Sequence, residues 1–121
     1  MAAHLPTVWL DDDGIIHEQY GQYAEITVDS IARSMSLIRR LTDRKAPILI
    51  HGLSVLDVQK EVEICASHPK VIDVTSALGI LVGSFMSEYV AQMFIWYHRP
   101  PYPCKIFHSE EQASNWLKQY L

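Results

Sequence analysis

Cysteine is scarce in this chain. Only Cys65 and Cys104 occur, and they form no Cys-x-x-Cys pair, so the sequence signatures of a dithiol redox site and of a zinc knuckle are both missing. Long hydrophobic runs are missing too. The longest apolar-rich stretch, residues 90–97, falls far short of the roughly 20 residues that a membrane-spanning helix needs. Residues 1–10 contain no basic segment followed by an apolar run, so no secretory signal is expected, and a cytoplasmic setting with reduced thiols is the default. Positive charge is not in excess. Lys and Arg number 10 against 14 Asp and Glu, a net charge of −4, which argues against a dedicated nucleic-acid binder relying on phosphate neutralisation. The one basic cluster, Arg39, Arg40, Arg44 and Lys45, falls at the end of an expected helix, where cations suit the negative end of the dipole.

The motifs of catalysis are likewise lacking. Residues 79–83 read Gly-Ile-Leu-Val-Gly, with no serine to make a nucleophile elbow. No glycine-rich phosphate loop is present. The six histidines, His4, His17, His51, His68, His98 and His108, have no metal-ligand spacing, so neither a metal nor another cofactor is expected. The run Asp11-Asp12-Asp13-Gly14 lacks the spacing of a calcium loop and reads as a solvated turn.

What is present is the composition of an ordinary globular protein. Hydrophobic residues make up 49% and charged residues 20% of 121 residues, a length that suits one domain over residues 1–121. Residues 5–10 and 15–20 are rich in β-formers, and the Asp-Gly between them predicts a hairpin. Over residues 26–44, Val28, Ile31, Met35, Ile38 and Leu41 recur at helical spacing, with Thr27 or Asp29 as the cap. Ile48-Leu49-Ile50 suits a strand buried on both faces. A second helix is expected over residues 54–67, because Ser54 and Asp57 resemble a capping box and Val58, Val62 and Cys65 share a face. His68-Pro69 would end it. Residues 71–74 read as extended, and 76–82 as a better buried strand. A helix with a wide apolar stripe, Phe85, Met86, Tyr89, Val90, Met93, Phe94 and Tyr97, comes next. The stiff Arg99-Pro100-Pro101-Tyr102-Pro103 loop, a strand at 104–107 and a last helix opened by Ser109 complete the chain. The expected order is β-β-α-β-α-β-α-β-α. This is an α/β fold with a mostly parallel sheet, an N-terminal hairpin, four helices and βαβ crossovers.

This order of elements resembles the SpoIIAA-like fold of STAS domains, to which lipid-binding CRAL-TRIO domains are related. The segments SALGILVGS (76–84), RPPYP (99–103) and IFHSEEQASNWL (106–117) are similar in style to small uncharacterised bacterial STAS-like proteins. The resemblance implies a non-enzymatic module that binds a partner or nucleotide. The phosphorylated Asp-Ser-Ser/Thr-Gly motif of anti-sigma-factor antagonists is not intact here: the region reads Ile50-His51-Gly52-Leu53-Ser54. The CRAL-TRIO relationship adds a lipid-like ligand as an option.

Ligands of open parallel sheets favour the crevice beyond the C-terminal strand ends. His51 and Ser54, Gly83 and Ser84, and His108 and Ser109 each follow a strand and precede an expected helix, so they form a candidate anion or ligand crevice. The simpler reading of the serines is as helix caps. Phe85, Tyr89, Met93, Phe94 and Tyr97 are read as core, as a homodimer face or as the wall of an apolar pocket. The functional expectation is a non-enzymatic binding or regulatory module, homodimeric and working through protein contacts. The alternatives are a carrier of a small apolar or amphiphilic ligand, and an enzyme using a histidine at the sheet edge.

Overall fold

The computed structural model describes residues 6–20, 24–52, 55–58, 68–83 and 85–121, with the backbone alone at 24, 25, 55–58, 85–87, 94, 97 and 98. The chain opens with β1 (Thr7–Leu10) and β2 (Ile16–Gln19), an antiparallel hairpin. Its turn is closed by the amide of Gly14 donating to the carbonyl of Asp11, and Gly14 sits at φ +93°, a conformation glycine adopts without steric cost. Then come β3 (Ala24–Ile26), α1 (Val28–Leu41), β4 (Ala46–His51) and β5 (Val55–Val58). The chain continues through α2 (Pro69–Ile72), β6 (Thr75–Leu81), α3 (Phe85–His98), β7 (Cys104–Phe107), α4 (Glu110–Leu117) and a 3-10 turn at Lys118–Tyr120.

The main sheet has the order β1-β2-β4-β6-β7, with only β1 antiparallel to its neighbour. Period-two alternation sorts its side chains onto two faces. One face carries Ile15, Leu49, Ala77, Leu81 and Phe107 and is covered by Ala113 and Leu117 of α4. The other carries Ile16, Ile48, Leu78 and the half-buried Ile50 and Ile80, and meets Met35 and Ile38 of α1. The expected α/β architecture with a mostly parallel sheet and an N-terminal hairpin is thus the observed one.

Four local expectations differ. Residues 55–58, expected to open a helix, form β5, which pairs in parallel with β3 as a separate two-stranded sheet. The β-branched Val55 and Val58 and a partner distant in sequence override the local capping pattern. The rest of that helix, with Val62 and Cys65, lies outside the described residues. Residues 71–74, expected to be extended, instead complete a helical turn opened by Pro69 (71–72) and the turn that ends it (73–74). The His68 side chain caps it by accepting from the Lys70 amide at 3.1 Å, since proline suits the first position of a helix as well as the end of one. Ile26 belongs to β3, and α1 starts at Val28 behind the Thr27 cap, whose hydroxyl and Ser30 complete a reciprocal capping box. Finally, the buried face of α1 is rotated. Ser30, Ser34 and Ile38 are its buried residues, whereas Val28 and Leu41 are exposed.

Gly79 lets α4 lie against the sheet. A Cβ there would meet Leu49 Cδ1 at 3.2 Å and Leu117 Cδ1 at 3.3 Å. Gly79→Val should therefore push α4 outward and cost about 2 kcal/mol, the usual scale of overpacking. Urea denaturation checks it: an unchanged midpoint would mean that α4 rides freely on the sheet.

Candidate functional site

Three polar side chains are hydrogen-bonded in series on the α4 face of the sheet. Asp11, at the start of the hairpin turn, uses Oδ1 to accept from the amides of Asp13 at 2.9 Å and Ile15 at 3.0 Å. Its Oδ2 lies 2.7 Å from His17 Nε2. His17 sits mid-strand in β2 and is 4% exposed. Its Nδ1 lies 2.8 Å from Nε2 of His51. The contact is diagonal: His17 pairs in register with Leu49, so His51, two residues further along β4, shares its face. Trp9, opposite His17 on β1, stacks on that ring at 5.0 Å with 4° between planes and tilts over His51 at 5.6 Å. The outer nitrogen of His51, Nδ1, is 3.9 Å from Glu110 Oε1 at the start of α4. The series therefore runs from the hairpin turn to the C-terminal edge of the sheet.

Electrostatics give the series a direction. Burial alone would raise the Asp11 pKa, but the hydrogen bonds from His17, Ile15 and Asp13 outweigh it and hold the carboxyl below its ordinary range. Asp11 is therefore an acceptor at neutral pH. Burial, then the neighbouring His17, hold His51 below the usual imidazole range, with Glu110 pulling the other way. His51 is thus uncharged at neutral pH.

The expected crevice residues divide. His51 ends β4 half-buried and turns inward to His17. His108 is exposed after β7, with Nε2 at 3.3 Å from Glu88 Oε1. Ser109 caps α4, accepting from the Gln112 amide at 3.4 Å. Gly83 is exposed just past β6. Ser54 and Ser84 lie outside the described residues, as do the side chains of Phe85, Phe94 and Tyr97. On α3, Tyr89 is exposed and Met93 half-buried. The first turns of α3 and α4 hold the chain's own acids, Glu88 and Glu110 with Glu111, which complement the positive helix ends.

Sequence reasoning missed Trp9, Asp11 and His17. Asp12 and Asp13 are exposed as a solvated turn requires, but Asp11 is half-buried because His17 reaches it. It also missed a buried acid on the α1 face. Glu18 is 2% exposed, and the Tyr20 hydroxyl donates to its Oε2 at 3.4 Å. Burial pushes the Glu18 pKa up to about 7, the Tyr20 bond pulling the other way. Tyr102 and Cys104 pack on the same face, and burial pushes the Cys104 thiol up to about 12. Ser34 Oγ, fully buried on α1, has no hydrogen-bond partner among the described residues.

A parallel four-strand run with an antiparallel β1 edge, covered by helices on both faces, defines a SpoIIAA-like α/β protein. An uncharacterised protein of the DUF3478 family from Shewanella loihica PV-4, itself described as having a SpoIIAA-like fold, superposes with a TM-score of 0.65 at 17% identity over 94% of each chain. A protein with unknown function from Arthrobacter sp. FB24 is 24% identical over 97% of this chain and 93% of that one, with a TM-score of 0.34. Residues 8–121 match the family described as "Domain of unknown function (DUF7793)", and the chain belongs to that family. No curated protein matches the sequence. Among the described residues, no helix is long and apolar enough to cross a membrane, and no group of three or more His, Cys, Asp or Glu is placed to hold a metal ion.

Glu18 yields a pH-dependent expectation. Its folded pKa, about 7, lies above that of an exposed glutamate, so between the two values the folded chain holds a proton that the unfolded chain has released. Stability then falls as pH rises through that window, by about 3 kcal/mol in all. Glu18→Gln should remove this loss, so that the variant is more stable than wild type at about pH 8 and similar to it near pH 4.5. Urea midpoints at the two pH values measure it; equal differences at both would place a charged, compensated carboxylate at Glu18.

Proposed function

We propose that this protein is a small-ligand binding module whose site lies at the C-terminal edge of the sheet, with His51 as its central contact. The observation that supports this reading is the arrangement of the His51 ring. Nε2 is committed to the buried His17, and Nδ1 is left at the half-buried edge beside Glu110 without a direct hydrogen bond at 3.9 Å. Burying histidine and aspartate in a sheet face costs free energy unless each polar atom is satisfied. Here every inner atom is satisfied and the outermost one remains available. The site stands where ligands of open parallel sheets bind. The test is a titration of isotope-labelled protein with a fragment set of small amines, alcohols and carboxylic acids. Shifts should cluster at His51, Ser109 and Glu110 and be lost in His51→Ala. Shifts scattered elsewhere, or unchanged in the variant, would remove the site.

A second reading rests on a different observation. The helix α3 is apolar nearly all round, which is the pattern of a helix covered on more than one side, yet Tyr89 and Trp96 are 52% and 67% exposed. They lie seven residues, two turns, apart on one face. The Arg99 guanidinium stands over the Trp96 ring at 5.8 Å. Aromatics and arginine are enriched at protein interfaces, so this face supports the homodimer and regulatory-partner expectation. Native mass spectrometry should show a doubled mass that Trp96→Asp, a surface change, reduces to a folded monomer. A wild-type monomer at every concentration would end the homodimer reading.

A further inference from the structure

The hydrogen-bond polarity of the site is set at its far end, by Asp11. Asp11 Oδ1 is already taken by the amides of Asp13 and Ile15 at 2.9 and 3.0 Å, so Oδ2 alone meets His17. A carboxylate only accepts. His17 Nε2, 2.7 Å away, must therefore carry the proton. With the pair uncharged, His17 Nδ1 is then a bare acceptor, and His51 Nε2, 2.8 Å from it, must donate. One proton per neutral ring leaves His51 Nδ1 bare. The outer face of the site is an acceptor because a carboxylate two rings away is ionised.

Beside that bare nitrogen stands a second acceptor, Glu110 Oε1, at 3.9 Å. Two acceptors at this spacing repel each other if left alone. They suit one group carrying two or more hydrogens, placed about 2.9 Å from both, the ordinary N–H donor distance. Glu111 joins Glu110 in the first turn of α4.

We propose, on the reading that His51 is the ligand contact, that the site takes a protonated primary amine, which donates one N–H to His51 Nδ1 and another to Glu110, and that Asp11 holds His51 in the acceptor tautomer this requires. His17 is a positioning residue that passes the polarity of Asp11 to His51.

The test reads the tautomers directly, by long-range nitrogen–proton correlation of the histidine rings. In wild type, the neutral His51 should carry its proton on Nε2. In Asp11→Asn, the two backbone amides keep the side-chain oxygen, so the carboxamide NH2 faces His17 Nε2. His17 must then protonate on Nδ1, and His51 must follow on Nδ1. Methylammonium chloride should shift His51 and Glu110 in wild type, and at least tenfold more weakly in Asp11→Asn. Sodium acetate and sodium sulfate should leave them unmoved. Glu110→Gln, at an exposed position that does not endanger folding, should weaken the methylammonium response several-fold with both tautomers unchanged. A proton on His51 Nδ1 in neutral wild type overturns the proposal. So does an unmoved tautomer in Asp11→Asn, a response to the anions in place of methylammonium, or a full response in Glu110→Gln. Fragments that shift His51 while its tautomer stays fixed in Asp11→Asn would preserve the ligand site and remove only this account of it. A tautomer flip with no ligand response at the edge would remove both the amine and the site.

Discussion

The hydrogen bond between His17 and His51, 2.8 Å long, is the constraint on which the rest of the site depends. It crosses from β2 to β4 on the diagonal of a parallel pair, so it exists only in the register that sets His17 beside Leu49. A slip of one residue would turn one ring to the opposite face. That register is held from both sides. Ile15 and Leu49 pack under α4, and Ile16 and Ile48 pack under α1. The apolar residues that alternate with the polar ones thus fix where the polar ones meet. Trp9 adds a flat cover, stacked on His17, which shields the bond and strengthens it by lowering the local dielectric.

The strand β2 buries a polar side chain on each face, and the two are treated differently. On the α4 side, His17 is satisfied at both nitrogens and its partner Asp11 is kept ionised. On the α1 side, Glu18 has one long hydrogen bond from Tyr20 and is driven toward its neutral form. Burial opposes charge in both places. The sign of the outcome follows from depth and donors together: the fully buried Glu18 receives a single phenol, and the half-buried Asp11 receives two amides and an imidazole. The rotated face of α1 belongs to the same account. Burial and then Glu18 raise the pKa of the Tyr20 phenol, near which the buried serines of α1, Ser30 and Ser34, lie.

Much of the fold was legible in the sequence because its signals are local. The Asp-Gly turn, the Ile48-Leu49-Ile50 run and the Ser109 cap each report on neighbours a few residues apart. Residues 55–58 were illegible for the opposite reason: their strand is made by β3, about thirty residues away in the chain. The site was legible by half. His51 follows from its place at a strand end, where fold-level rules point. His17 and Asp11 do not. Their meaning depends on a cross-strand diagonal and on a hairpin turn folding back over it, and neither leaves a spacing in the sequence. The spacing of Ile15 and His17 at the start of β2 is the only local trace, marking His17 as an inward-facing residue before its partner is known.

Likeness of fold carries no ligand with it. The Shewanella protein shares the architecture at 17% identity, and an open α/β sheet offers the same crevice to many chemistries. In this chain the sign of the crevice rests on its own residues. An anion site would use the free amides and positive ends of α3 and α4. Here Glu88, Glu110 and Glu111 occupy those first turns, and His51 brings an acceptor to the same edge. A positive helix end surrounded by carboxylates no longer favours an anion, because full charges at hydrogen-bond distance outweigh a terminal dipole of about half a charge. On the proposed reading, the helix ends hold the glutamates in place, and the glutamates set the preference of the site.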